Sequence, residues 1–276
     1  MLEIPEALTI TDQINSSIRG RQIINVVTEF SPHKFAWYHG NPQGYQELLI
    51  GNTVESATAY GGMVHIKVDT AAILLSDGVA LRYHAQGESI PLKHQLLLEL
   101  DDSSKVSASV HMYGGICCFS DEDKYENPYY MISKEKPSPL SHDFNETYFN
   151  KLIASQDVKK LSVKAFLATE QRIPGLGNGV LQDILWSANV NPKCKVYTLK
   201  EEQIEALFRN IKAVLSEMAV LRGRNTEKDF FGDNGDYKTI MSKNTVGSPC
   251  VRCGSTIIKN NYLGGSIYYC ESCQPS

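Results

Sequence analysis

Two C-x2-C pairs lie near the end of the 276-residue sequence, at Cys250, Cys253, Cys270 and Cys273. Four thiolates at this spacing can converge tetrahedrally on one metal ion from two facing turns, as in structural zinc sites. The residues between the pairs read as strand, turn and strand, with Asn260-Asn261 and Gly264-Gly265 at the turn. A hairpin of this size has no core of its own, so we predict that one structural Zn2+ supplies its folding free energy. Unrelated cysteines or two disulfides are the alternative.

The composition is that of an ordinary globular chain. Hydrophobic residues make up 42% and charged residues 21%, enough for a substantial core and, at this length, two domains plus the hairpin. No stretch approaches the ~20 apolar residues of a membrane span, and no secretion signal opens the sequence. The odd number of remaining cysteines favours a reducing, intracellular location, in the cytoplasm or a bacterial nucleoid. A net charge of −4 neither indicates nor excludes a nucleic-acid partner, because a local basic stripe matters more.

The N-terminal half of the sequence predicts strands behind a single helix. Proline in the first turn, a helical apolar face and a final Gly20 predict a helix over Pro5–Arg19. From Ile23 to Phe119, short apolar runs and period-2 alternation are separated by Gly, Asp and Asn turns. Strands packed face to face and capped by the helix predict a β-sandwich domain over residues 1–133.

The C-terminal half has a helical pattern. A Pro- and Ser-rich segment predicts a linker over residues 134–145. Beyond it, apolar residues at i, i+3 and i+4 predict a helical domain over residues 146–244, followed by the zinc hairpin over 245–276. The fold class is therefore α+β. The four predicted helices are Glu146–Ile153, Val163–Arg172, Gly179–Ala188 and Lys200–Leu221.

A glycine-rich turn at 173–179 connects two of these helices. Such a turn presents backbone N–H groups and the positive end of a helix to an anion, so it suits a phosphate. The turn alone is a weak signal, because most glycine-rich turns only connect helices. Lys164 one helix upstream and the zinc hairpin downstream favour an element that grips a nucleic-acid backbone, with Lys164, Gly177 and Asn178 as the contacts.

Three separated motifs resemble those of the formamidopyrimidine-DNA glycosylase and endonuclease VIII family. The sequence opens M-L-E-I-P-E against the family's M-P-E-L-P-E. Within residues 164–192, Gly175–Asn178 falls on the G-[IV]-G-N of the family's helix–two-turn–helix, and residues 248–274 are similar to its zinc finger. The resemblance covers nearly the whole chain. It implies base-excision repair by a monomeric, two-lobed clamp that bends duplex DNA, flips out a damaged base and cleaves its glycosidic bond.

The sequence departs from the family at several functional positions. The family's N-terminal proline attacks the sugar C1′ and forms a Schiff base, but Leu2 stands at that place. Gly62 corresponds to the helper lysine of a β-hairpin, and Gly265 to the zinc-finger arginine that holds a phosphate. Tyr113, in Met112-Tyr113-Gly114, retains the aromatic wedge of R-F-G without its arginine, and the wedge methionine has no clear counterpart near Gln86.

Two acidic residues remain as catalytic candidates. Glu3 matches the family motif and is a candidate general acid or base, and Glu6 is a candidate for placing a water. Both residues have a second interpretation as acids that favour the N-terminal end of a helix dipole.

Further DNA contacts are predicted outside the glycine turn. Lys93 and His94 resemble a K-H pair near the family's DNA-facing cleft, and Lys259 and Tyr262 at the hairpin tip are candidates to replace the absent arginine. Arg222-Gly223-Arg224 either contacts phosphate or complements a helix end. Residues 230–237 stand where the family carries its lesion-capping loop, and are too acidic to hold a phosphate.

These observations predict a zinc-finger protein that binds duplex DNA at lesions or distortions. With the nucleophile replaced by Leu2, the helper lysine by Gly62 and the phosphate-holding arginine by Gly265, we expect at most glycosylase chemistry by water attack, and weak or no Schiff-base lyase activity. Two alternatives remain: a catalytically silent sensor of DNA structure, and a full glycosylase and lyase that uses the amine of Met1 or Leu2.

Overall fold

The protein is described by a computed structural model that covers residues 1–123 and 125–275. Its N-terminal lobe is a sandwich of two sheets with one long helix, which confirms the predicted fold class. Its elements are α1 (Ile4–Ser17), β1 (Ile23–Thr28), β2 (Ala36–Trp37), α2 (Tyr45–Leu49), β3 (Val54–Tyr60), β4 (Met63–Val68), β5 (Ala71–Leu75), β6 (Val79–His84), β7 (Leu96–Leu100), β8 (Lys105–Val110) and β9 (Gly114–Ser120).

The two sheets enclose the first hydrophobic core. One sheet has the order β1-β7-β8-β6, and the other has the order β2-β9-β5-β4-β3. Val64, Ile66 and Val68 alternate along β4 and are buried in the same core as Leu96 and Leu98 of β7. The outer face of the five-stranded sheet is also covered, so β5 is buried along its whole length.

Helix α1 joins the two lobes. Ala7, Ile10 and Ile14 pack into the sandwich core, whereas Ile4 packs into the helical core. Pro5 lies in the first turn, where its missing N–H has no intrahelical partner to lose. The first residues of the chain are therefore held between the lobes.

The C-terminal lobe is helical and carries the predicted hairpin. Asn127, Asn145 and Ser162 cap three of its helices through their side chains. Leu263 and Gly264 both have positive φ and form the two-residue turn of the hairpin. The elements are α3 (Pro128–Glu135), α4 (Glu146–Ala154), α5 (Val163–Ala168), α6 (Leu181–Ser187), α7 (Glu201–Val220), β10 (Ile258–Tyr262) and β11 (Gly265–Tyr269).

Some predicted boundaries differ from the structure. The helix expected over Val163–Arg172 ends at Ala168, because Glu170 and Gln171 adopt positive φ. The helix expected from Gly179 begins at Leu181. Helix α3 occupies the start of the predicted linker. Within the described residues, no helix is both long and apolar enough to cross a membrane.

Candidate nucleic-acid interface

A cleft of about 460 Å³ lies between the lobes, where the start of the chain meets the glycine turn and the hairpin tip. It brings together most of the positions at which this sequence departs from the family that it resembles. Its walls include Leu2, Glu3, Gly62, Tyr113, Lys164, Gly177, Asn178 and Gly265.

The Glu3 carboxylate binds the glycine turn. It accepts hydrogen bonds from the backbone N–H groups of Gly179 and Val180, both at 2.8 Å. Gly177 permits this approach, because a Cβ atom on it would lie 2.7 Å from the carboxyl carbon of Glu3. These two N–H groups are therefore occupied by the Glu3 carboxyl group in this structure, so they are not open to a phosphate as the sequence predicts.

Arg224 connects Glu3 to Glu6 in the protein interior. Its Nε and Nη2 donate to the two carboxylate oxygens of Glu6 at 2.9 and 2.8 Å, and its Nη1 lies 3.6 Å from Glu3 Oε2. Only 3% of Arg224 is exposed, so in this structure its guanidinium is occupied by the two carboxyl groups, and contact with a phosphate stays a prediction. A Cβ on Gly179 would lie 1.5 Å from Nη1, which explains the glycine there.

The pKa values of Glu3 and Glu6 are shifted in opposite directions. Burial raises the pKa of Glu3 more than Arg224 and the two backbone donors lower it. Burial also acts on Glu6, but there the direct bonds from Arg224 outweigh it and lower the pKa. Glu3 is thus the better proton donor of the two. A role for Glu6 in placing water stays a prediction, and its observed role is to hold Arg224.

The start of the chain is fixed at the centre of the cleft. The Leu2 amide donates to the Asp77 carbonyl at 2.7 Å, the Leu2 side chain enters the sandwich core, and the Met1 amino group pairs with Glu227. A Cβ on Gly62 would lie 2.9 Å from the Leu2 carbonyl oxygen. The β3–β4 turn therefore leaves no space for a lysine side chain at this position without backbone movement.

Lys164 and Asn178 meet at the hairpin tip. Lys164 Nζ donates to the Tyr262 carbonyl, and Asn178 Nδ2 donates to the Ser266 carbonyl at 2.8 Å. Lys164 Nζ lies 3.3 Å from the place that a Cβ on Gly265 would take. Burial lowers the pKa of Lys164, and Asn178 Oδ1 is buried with no hydrogen-bond partner in the described chain. Lys164 of α5 therefore lies beside Gly265, the position that corresponds to the arginine of the family's zinc finger.

The other residues that are predicted to contact DNA differ in how far their side chains are exposed. Tyr113 lines the cleft, and Lys93 and Lys259 are exposed. His94 is only 2% exposed and stacks under Phe30 with ring centroids 4.6 Å apart. Contact between His94 and DNA stays a prediction, and it would require Phe30 to move away from the histidine ring.

The four predicted metal ligands converge. The Sγ atoms of Cys250, Cys253, Cys270 and Cys273 all lie within 4.8 Å of one another. Thiolates bound tetrahedrally at 2.3 Å from a zinc ion would be ~3.8 Å apart, so the donor set and its spacing fit zinc. Gln274, which follows the last cysteine, is fully buried and bonds to the Val190 carbonyl, which fastens the hairpin to the helical lobe.

Two residues of the cleft region were missed by sequence reasoning. Glu227 pairs with the Met1 amino group from a distant loop. Asp77 has a positive φ of 59° and lines the cleft beside Tyr113, and burial raises the pKa of its carboxyl. The S-D-G turn was a usable signal for Asp77, whereas Glu227 had none.

Comparison with known proteins agrees with this architecture. The model of the formamidopyrimidine-DNA glycosylase H2TH domain matches residues 136–230. The formamidopyrimidine-DNA glycosylase of Geobacillus kaustophilus is 27% identical over 282 residues, covering 99% of this chain and 100% of the relative. That of Bartonella quintana is 25% identical over 300 residues, with 99% and 100% coverage.

Solved structures show the same fold. Fpg of Lactococcus lactis in complex with DNA containing an abasic site has a TM-score of 0.82 at 22% identity, covering 99% of this chain and 100% of that one. MutM (Fpg) of Thermus thermophilus has a TM-score of 0.81 at 21% identity, with 99% and 98% coverage. The full-length sequence similarity and the matching H2TH domain thus make this chain similar to formamidopyrimidine-DNA glycosylases along its whole length.

Proposed function

We propose that this protein binds duplex DNA at lesions or distortions, in the cleft between its lobes, as a base-excision-repair protein. The observation that carries the proposal is the convergence of Tyr113, Lys164 and Asn178 on one cleft. An aromatic side chain there can enter the base stack, while the ammonium and amide groups contact backbone phosphates. The matched relatives are named as DNA glycosylases, and several matched structures hold DNA.

One Zn2+ bound by the four cysteines holds the hairpin in register with this surface. The ion would offset the negative charge of the four thiolates and stabilise the fold of the hairpin, and it takes no part in the chemistry. The hairpin presents the Tyr262 and Ser266 carbonyls to Lys164 and Asn178. Loss of the hairpin would therefore release both phosphate-contact candidates.

The Schiff-base lyase step is weak or absent in this proposal. An imine requires an amine with a free lone pair near C1′. The Leu2 nitrogen is a peptide amide bonded to Asp77, Gly62 has no amine, and the Met1 amino group is engaged by Glu227. Glu3, with its raised pKa, is the residue best suited to donate a proton during hydrolysis.

A cavity of about 420 Å³ on the other side of Leu2 offers room for a damaged base. It is lined mainly by polar side chains, among them Glu6, Arg82, His111 and Asn225. This cavity favours retained base recognition, and with it glycosylase activity, over a silent sensor.

Fluorescence anisotropy with duplexes carrying an abasic site tests DNA binding. Asn178→Ala and Lys164→Met should each weaken binding on all sequences, and the lysine change should lower the salt slope by roughly one unit. Lys151→Met, an exposed change on α4, is the matched control. Binding by either cleft variant that equals the parent at several salt concentrations would contradict the assigned surface.

Borohydride trapping and a panel of damaged oligonucleotides test the chemistry. We expect base release from at least one lesion without a trapped protein–DNA species. A strong trapped band, lost when the N-terminal amine is blocked, would favour the full lyase. Binding without any base release would favour the silent sensor, and mass spectrometry of the purified N-terminus would show which amine is present.

A further inference from the structure

Another cavity adjoins the cleft and has no role in the proposed function. It measures about 500 Å³ and lies on the outer face of the five-stranded sheet, next to the start of α3. The cavity and the cleft share the lining residues Met63, Ser76, Asp77, Tyr113 and Gln171. A group displaced from DNA in the cleft can therefore enter it directly.

The walls of this cavity are aromatic. Trp37 and Tyr129 are 50% and 54% exposed, which is high for side chains of this size. The rings of Trp37 and Tyr113 have centroids 5.7 Å apart, so the predicted wedge is one edge of the aromatic wall. The aromatic lining residues are Trp37, Tyr38, Tyr113, Tyr125 and Tyr129.

The polar groups of the cavity suit a neutral, hydrogen-bonding ligand. The Tyr38 hydroxyl is buried and has no hydrogen-bond partner in the described chain. Burial raises the pKa of Tyr38 to about 12, so this hydroxyl remains a donor at neutral pH. Asp77 supplies an acceptor. No lysine or arginine is among the described lining residues, which disfavours a phosphate.

We propose that this aromatic side pocket receives a nucleobase turned out of the duplex beside Tyr113. The proposal rests on the proposed DNA binding and adds a base-holding site to it. A base offers two π faces and an edge of donors and acceptors, which match stacked aromatic walls and a few polar groups. The pocket shares no lining residue with the polar cavity beside Glu6, so the two sites are distinct.

Affinity for unpaired bases provides the first test. Duplexes with one unpaired base are compared with fully paired duplexes by anisotropy. Trp37→Ala should weaken binding to the unpaired-base duplex roughly 10-fold, the order expected for one lost stacking platform, and leave the paired duplex unchanged. Tyr38→Phe should act in the same direction. Tyr197→Ala, an exposed aromatic change outside both cavities, is the matched control.

Photo-cross-linking provides the second test. A 5-iodouracil at the unpaired position should cross-link to peptides containing Trp37 or Tyr129 in the parent protein. Equal losses on both duplexes, or cross-links confined to peptides outside the pocket, would overturn the pocket while leaving DNA binding intact. Absence of binding to any duplex would instead refute the proposed function, so the two failures are distinguishable.

Discussion

The buried ion cluster of Glu3, Arg224 and Glu6 gives the most demanding test of the structure. Replacing Arg224 with Met keeps most of the side-chain volume but leaves two carboxyls, each at most 5% exposed, without their cation. Glu6 loses two bonds from the guanidinium, and Glu3 retains only its two backbone donors. Breaking a buried pair in this way costs about 3–5 kcal/mol, so we expect a loss of that size in the free energy of unfolding at pH 7.

The pH dependence of this loss is the sharper observation. In the Arg224→Met protein the buried carboxyls have pKa values above those in the unfolded chain, so the folded state binds more protons. Its stability therefore rises as the pH falls, and the deficit relative to the parent shrinks between pH 7 and pH 5. Adding Glu6→Gln should recover part of the loss, because the uncompensated charge is removed.

Urea unfolding followed by circular dichroism at the two pH values measures both effects. Arg222→Met is the matched control, because Arg222 is exposed and pairs with Asp236 at the surface, so its midpoint should change little. A deficit below about 1 kcal/mol, or one that does not change with pH, would refute the argument that the cluster is buried and coupled.

Three further predictions concern the hairpin, the β3–β4 turn and the acid response. Cys253→Ser should remove zinc, as measured by elemental analysis, and abolish DNA binding while the strand signal in circular dichroism persists. Gly62→Lys should lower the unfolding midpoint, since its Cβ meets the Leu2 carbonyl at 2.9 Å, and should give no borohydride-trapped product. Burial, aided by Lys134, lowers the pKa of His65 to about 4. Protonation therefore favours unfolding as pH falls from 6.5 to 4, and His65→Gln should remove about 2 kcal/mol of that acid loss after allowance for partial exposure.

Each of these changes has a matched control. Cys194→Ser removes a cysteine outside the cluster and should retain zinc. At Gly44 no atom lies within 4 Å of an added Cβ, so Gly44→Lys should leave the unfolding midpoint unchanged. His142→Gln changes a histidine outside the strand lobe and should leave the acid response as it is. Control variants that behave like the test variants would contradict the local explanations.

Sequence patterns predicted the parts of this fold that depend on local spacing. The cysteine pairs, the alternating strands and the amphipathic α7 all carry their signals within a few residues. The start of α3 also has a local signal, because Asn127 followed by Pro128 is typical of a helix N-terminus. The buried ion cluster had no such signal, because Glu6 and Arg224 are 218 positions apart and become neighbours only when the lobes assemble.

Two polar residues are buried for a shared physical reason. Arg224 and His94 are polar side chains whose burial depends on distant partners, so residue type alone favoured a surface role. The glycine pattern predicts an open turn, yet the N–H groups of Gly179 and Val180 donate to the Glu3 carboxyl group, which comes from the other end of the sequence. Several residues of the sequence motifs line the cleft, but the motifs could not state which hydrogen-bond donors were already occupied.

The bond between Glu3 and the glycine turn has a consequence for how such a protein can diverge. Because position 3 anchors the chain to the helical lobe, the anchor is separate from the two residues that precede it in the cleft. Met1 and Leu2 have contacts of their own, with Glu227 and with Asp77 and the sandwich core, that do not involve the glycine turn. Substitution of Met1 or Leu2 can add or remove a reactive group while Glu3 keeps the two lobes in their relative positions. The chemistry of such a protein can therefore change without a change in how it binds DNA.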